Sequence, residues 1–95
     1  MTDKNLYIEK AKARLDQWEA DIDRLKAKAE ETQADSRIEY QHQLEALRAK
    51  RDEARRKLRE AQDSSDDAWD DIKSGLDKAW DSIGKAFESA RSRFK

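Results

Sequence analysis

The sequence predicts an all-α protein, and three observations lead to that fold class. Ala, Glu, Lys, Leu and Arg together fill 51 of the 95 positions, a composition typical of long helices and coiled coils. Charged residues make up 45% of the chain, but 21 basic and 22 acidic side chains leave a net charge of −1, which does not fit a disordered segment. The chain has no Pro and only two Gly. We therefore expect one helical coiled-coil domain over residues 1–95.

The first part of the chain carries a heptad pattern. Apolar side chains recur at alternating spacings of three and four residues, first over 8–29 and again over 40–61. A stutter near 33–36 joins the two stretches. Because no Gly or Pro interrupts the pattern, it favours one continuous helix over about 3–62, in which TQADSR at 32–37 is the weakest helical stretch.

A cluster of polar residues predicts the clearest turn, at about 63–65. Either Ser64 or Ser65 can cap the helix that follows, and four aspartates crowd its first turns, where the helix dipole favours anions. This helix, over about 66–93, contains an eleven-residue repeat in which AWDDIKSGLDK aligns with AWDSIGKAFES. Since eleven residues make about three turns, the apolar side chains share one face and the helix is amphipathic.

The apolar stripes have to pack on one another, because the chain holds only 20 large apolar side chains and a helix standing alone buries too few of them. No helix can bury its stripe without a partner. The predicted core and self-association residues are Ile8, Leu15, Trp18, Ile22, Leu25, Tyr40, Leu44, Leu47, Leu58, Trp69, Ile72, Leu76, Trp80, Ile83, Phe87 and Phe94.

Two architectures satisfy this requirement. In the first, the short helix folds back as an antiparallel hairpin on roughly 35–62, and an antiparallel homodimer covers the remaining stripe at 6–29, so that every cross-section contains three helices. In the alternative, the chain breaks near 32–37 and forms a monomeric three-helix bundle. The pattern favours the homodimer.

The sequence contains no pattern typical of an enzyme. It has one His and no Cys, and neither Gly belongs to a phosphate-binding loop. Glu39 and His42 have the Glu-x-x-His spacing of di-iron bundles, but the predicted seam passes through Tyr40 and places both on its flanks. We therefore predict no catalytic residue, no metal site and no cofactor.

A basic segment at 48–59 holds seven Lys and Arg side chains. Nucleic-acid binding would use such charges, but they spread around the helix without an aromatic side chain among them. We expect them to be solvated or to pair with acidic side chains at 16–23 of the other copy, and nucleic acid is not an expected partner.

The amphipathic helix offers an alternative function. Trp69, Trp80, Phe87 and Phe94 share its apolar face, as in helices that lie reversibly on a membrane surface. The segment 63–95 carries more acidic than basic residues, which disfavours anionic lipid. We expect these aromatic side chains to belong to the core.

YIEKAKARLDQW, LRAKRDEARRKL, AWDDIK and the final SRF resemble a family of short bacterial coiled-coil proteins described as stress-response or hypothetical proteins. The eleven-residue repeats look like those of apolipoprotein-type helices. The resemblance implies a stress-related scaffold or chaperone-like helper, and carries over no functional residue. With no Cys and no apolar run in MTDKNLYIEK, we expect a cytoplasmic, self-associating interaction protein that binds itself, another coiled coil or, alternatively, a membrane surface.

Overall fold

The computed structural model describes residues 3–93 and contains three helices in that range. Helix α1 is Asp3–Glu31, helix α2 is Ala34–Asp63 and helix α3 is Asp66–Arg93. No strand occurs within residues 3–93, so the prediction of an all-α fold is confirmed.

The three helices lie side by side as a bundle. Helices of 28 to 30 residues are roughly 42–45 Å long, and the molecule measures 52 × 19 × 18 Å, so each helix spans its long axis. Lys4 near the start of α1 lies beside Ser64, which follows the end of α2, and Glu19 in the middle of α1 meets Arg55. Arg93 at the end of α3 pairs with Glu39 near the start of α2, so the chain reverses direction at both connections. We call the end with the α2–α3 connection the Ser64 end and the opposite end the Gln33 end.

The prediction of one continuous helix over 3–62 is wrong. Helix α1 ends at Glu31 and helix α2 begins at Ala34, so the chain breaks at Thr32 and Gln33. The break allows the apolar stripe of α1 to pack on α2 and α3 of its own chain, whereas a straight rod would leave that stripe without a partner. The helix bounds are those expected for the three-helix alternative.

The α1–α2 connection at the Gln33 end lacks a side-chain N-cap for α2, although the Arg37 guanidinium donates a hydrogen bond to the Thr32 carbonyl at 3.1 Å. Gln33 is the N-cap residue of α2 but makes no side-chain capping hydrogen bond. Its carbonyl accepts hydrogen bonds from the backbone N–H groups of Ser36 at 3.1 Å and Arg37 at 3.0 Å. The Thr32 hydroxyl donates to the Lys28 carbonyl at 2.6 Å, a bond that Thr also makes inside helices.

The α2–α3 connection lies at Ser64 and Ser65, and each serine caps a different helix. Ser64 donates its hydroxyl hydrogen to the Ala61 carbonyl at 2.6 Å, at the end of α2. The Ser65 hydroxyl oxygen accepts a hydrogen bond from the backbone N–H of Ala68 at 3.3 Å, as an N-cap residue of α3 should.

The core runs along the bundle axis. Twelve of the sixteen predicted core residues are buried, and Leu15, Tyr40 and Ile72 pack against the core while partly exposed. Phe94 lies outside the described residues. Five further core residues are alanines, whose small side chains let helices approach closely. They are Ala11, Ala29, Ala54, Ala61 and Ala90.

Candidate binding pocket at the Gln33 end

Aromatic side chains hold α1 and α3 together. The ring of Trp18 stacks on Phe87, with centroids 5.2 Å apart and an angle of 9° between the planes, and it also contacts Trp80 at 5.2 Å. The Arg14 guanidinium lies 5.3 Å from the centroid of Trp18, within cation–π distance. These bulky rings fix the separation of α1 and α3 at the middle of the bundle.

The Ser64 end is closed by a second aromatic contact. Tyr7 meets Trp69 edge to face, with ring centroids 5.3 Å apart, and its hydroxyl donates a hydrogen bond to the Asp77 carboxylate. Burial raises the pKa of Tyr7 above its ordinary value, and the hydrogen bond to Asp77 and the negative charge of that carboxylate add to the rise. Lys4 donates to the Ser64 carbonyl at the same end.

The Gln33 end is more open and holds a pocket of about 390 Å³. Its apolar wall consists of Leu25, Leu47, Phe87 and Ala90, all of them buried residues of the core. Phe87 and the small Ala90 of α3 both line the pocket, and no side chain of residues 3–93 fills it.

The rim of the pocket is charged. Arg24 and Lys28 lie one turn apart on α1, and Arg91 of α3 forms an ion pair with Asp21. Asp21 is largely buried by this contact, with a side-chain exposure of 11%. Three basic side chains against one carboxylate give the rim a positive charge in a chain whose net charge is −1.

The Glu39 and His42 pair does not form a site. Both side chains are exposed, and Glu39 accepts a hydrogen bond from Arg93 at 2.7 Å. Within residues 3–93, no three His, Cys, Asp or Glu side chains lie close enough together to hold a metal ion.

The basic segment at 48–59 makes contacts inside its own chain. Arg55 donates a hydrogen bond to Glu19, and Arg51 pairs with its neighbour Asp52 at 3.2 Å. The basic segment was expected to pair with acidic side chains at 16–23 of another copy. In the structure, Arg55 pairs with Glu19 of the same chain, between α2 and α1.

The pocket is the feature that sequence reasoning missed. A heptad or eleven-residue pattern counts Ala90 as apolar without regard to its small volume, so the pattern does not reveal the pocket. The shared position of Arg24, Lys28 and Arg91 depends on how α1 and α3 pack, which helical spacing alone does not reveal.

No family model, curated protein or solved structure matches the chain. The resemblance to short bacterial coiled-coil proteins therefore stays a prediction. Among the described helices, none combines the length and the apolar character needed to cross a membrane.

Proposed function

We propose that the protein is a non-enzymatic interaction protein that self-associates by exchanging α1 between two copies. The observation that carries this proposal is the α1–α2 connection, in which Gln33 lacks a side-chain cap and neither Gly nor Pro prevents a helix. If Thr32 and Gln33 become helical, α1 and α2 merge into one long helix. The α1 of a second copy then takes the vacated place, as in other domain-swapped dimers.

The exchange preserves the contacts of the core. Trp18 of one copy would stack on Phe87 and Trp80 of the other, and Glu19 would pair with Arg55 across the two chains. Because both forms bury the same surfaces, the balance between them depends on the connection and on protein concentration.

Ile38 supports the same arrangement. Its side chain is 62% exposed, although it lies only five residues beyond Gln33. In an exchanged dimer the two connections meet near the middle of the assembly, where Ile38 of each copy can be covered. A scaffold or chaperone-like role under stress, in the cytoplasm, belongs to this proposal and is supported by the sequence resemblance and the absence of Cys.

Substitutions of Gln33 test the proposal. Gln33→Ala favours the continuous helix, whereas Gln33→Asp favours the broken one, since Asp is a good N-cap and a poorer interior helix residue. The two variants should differ by about 1.5 kcal/mol per connection. With two connections per dimer, the dimer dissociation constant should be about 100-fold lower for Gln33→Ala, as measured by sedimentation equilibrium.

A cysteine pair separates exchange from other modes of dimerisation. Glu19→Cys and Arg55→Cys introduced together place one thiol on α1 and one on α2 in a chain that has no other Cys. Oxidation should link two chains in the dimer fraction and one chain to itself in the monomer fraction. A single-chain mass for all variants at millimolar concentration would rule out the proposal.

A second candidate function is reversible binding of α3 to a lipid surface. The indole N–H groups of Trp69 and Trp80 are buried without a hydrogen-bond partner among the described residues, which costs about 1–3 kcal/mol each. At a membrane interface both groups could donate to water or to lipid oxygens.

Vesicle flotation with Trp fluorescence tests this candidate. Phosphatidylcholine vesicles should bind more chain than phosphatidylserine vesicles, because Asp66, Asp67, Asp70 and Asp71 crowd the start of α3. Absence of the chain from floated phosphatidylcholine vesicles would exclude the candidate, and so would binding that requires anionic lipid.

A further inference from the structure

We propose that the pocket at the Gln33 end binds a linear carboxylate amphiphile, a fatty acid of about ten carbons, with the chain inside and the carboxylate at the rim. This inference goes beyond self-association, because all residues that line the pocket belong to one bundle. Its basis is the combination of an apolar interior, a suitable volume and a positively charged rim.

The volume sets the size of the ligand. An apolar cavity of about 150 Å³ takes up the six carbons of benzene, so the volume of about 390 Å³ here has room for roughly 16 heavy atoms, more than the twelve of decanoate. Pockets that bind small molecules begin at about 300 Å³. A decanoate ion therefore fits, whereas a short acid such as butyrate leaves most of the apolar wall uncovered.

The wall sets the chemical character of the tail. Leu25, Leu47, Phe87 and Ala90 contribute the lining inside the bundle, and all four belong to the buried core. The charged side chains that line the pocket come from α1 and α3. An alkyl chain gains by leaving water and packing against the four apolar side chains.

The rim sets the charge of the head group. Arg24 and Lys28 project from successive turns of α1, and Arg91 is oriented from α3 by its ion pair with Asp21. A carboxylate can accept charge-assisted hydrogen bonds from Arg and Lys side chains. The same rim repels a cationic head group and gives an alcohol no ionic contact.

Isothermal titration calorimetry with decanoate, decanol, decyltrimethylammonium and butyrate tests the inference, at ligand concentrations below micelle formation. Decanoate should bind the wild-type chain with a dissociation constant at least tenfold lower than that of any of the other three. Circular dichroism of the same samples should show unchanged helix content, which separates pocket binding from detergent-like unfolding.

Two variants divide the contributions of wall and rim. Ala90→Leu should fill the pocket and weaken decanoate binding at least tenfold, whereas Ala46→Leu on the exposed face of α2 should leave it unchanged. Arg24→Gln combined with Lys28→Gln should bring decanoate down to the affinity of decanol, whereas Lys26→Gln between them should have no effect.

The inference is overturned if decanoate releases no heat with the wild-type chain, or if Ala90→Leu and the wild-type chain bind decanoate with equal affinity. It is also overturned if decanol binds as well as decanoate. If Ala90→Leu does not fold, as judged by circular dichroism, the rim variants and the decanol comparison still decide, because they leave the pocket wall intact.

Discussion

The two ends of the bundle are built from the same three helices, yet they are closed in different ways. At the Ser64 end, serine hydroxyls cap two helices, Lys4 binds the connection, and Tyr7 joins α1 to α3 through a ring contact and a hydrogen bond. At the Gln33 end, Gln33 gives α2 no side-chain cap and a pocket replaces part of the core.

The difference shows how local side-chain chemistry controls a bundle whose helices have similar lengths. Ion pairs are present at the Gln33 end, where Arg91 meets Asp21 and Arg93 meets Glu39. The Arg93–Glu39 pair is more than half exposed, so water and salt screen it and it does not substitute for caps and tight packing. We infer that the Ser64 end contributes more stability and that the Gln33 end is the part able to rearrange or bind.

The largest expected effect is on the free energy of unfolding, when either of two equally buried leucines is replaced by alanine. Leu76 lies between the Trp69 and Trp80 contacts, whereas Leu47 lines the pocket, and each is 3% exposed. Leu76→Ala should cost about 3–4 kcal/mol, because it leaves an enclosed cavity. Leu47→Ala should cost only about 2 kcal/mol, because the space that it leaves opens into the pocket instead of remaining an enclosed cavity.

Urea unfolding followed by circular dichroism measures both values. Equal losses, or a larger loss for Leu47→Ala, would contradict the view that the Gln33 end is the less tightly packed end. Ala46→Leu, on the exposed surface of α2, controls for effects of substitution outside the core.

A pH titration tests the Ser64 end through Tyr7. Its pKa is raised in the folded chain, chiefly by burial and also by Asp77, whereas the positive charge of Arg14 acts in the opposite direction. The stability from this protonated hydroxyl is therefore present below the ordinary tyrosine pKa of about 10 and is lost as pH rises above it. The loss should stay below the limiting value of about 1.4 kcal/mol per pH unit, because Tyr7 is partly exposed.

Tyr7→Phe provides the control for that titration. Lysines also lose charge in this pH range, so the relevant quantity is the difference in unfolding free energy between wild type and Tyr7→Phe from pH 8 to pH 11. That difference should change in favour of the variant above pH 10. A constant difference would show that the hydroxyl has no special environment.

Much of this fold could be predicted from the sequence, and the errors have identifiable physical causes. The apolar stripes gave the buried residues because helical spacing determines which side chains share a face. Residues 32–37 were identifiable as the weakest helical stretch, but whether the helix breaks there could not be predicted from those residues, since all are compatible with a helix and the gain comes from packing α1 on α2 and α3. The pocket escaped prediction because it depends on the volume of Ala90 in three dimensions.

The two connections should respond differently to loss of the cap residue, which is the next effect in size. Ser65→Ala removes the acceptor for the Ala68 N–H and should cost about 1 kcal/mol. Gln33→Ala removes no side-chain hydrogen bond and should change monomer stability by a few tenths of a kcal/mol. Thermal unfolding at low protein concentration, where association is negligible, measures both, and a larger cost for Gln33→Ala would contradict the comparison.

The smallest expected effects come from the two glycines of α3, which have different surroundings. Gly75 faces open space, so Gly75→Ala should stabilise the chain by about 0.5–1 kcal/mol through helix propensity alone. At Gly84 an added Cβ would lie 2.6 Å from the Arg14 Nη2 atom, which forces the guanidinium away from Trp18. Losing that cation–π contact costs about 0.5–1 kcal/mol and cancels the gain.

Arg14 therefore decides whether Gly84→Ala stabilises the chain, and a double substitution tests this directly. In an Arg14→Met background the obstructing guanidinium is absent, so Gly84→Ala should recover a gain of about 0.5–1 kcal/mol like that of Gly75→Ala. If Gly84→Ala destabilises the chain in both backgrounds, the Arg14 guanidinium is not what opposes the added methyl group. The loss must then come from the packing of α3 on Trp18, whose Cζ2 atom lies 3.8 Å from the added Cβ, and the aromatic layer around Trp18 would be as tightly packed as the Ser64 end.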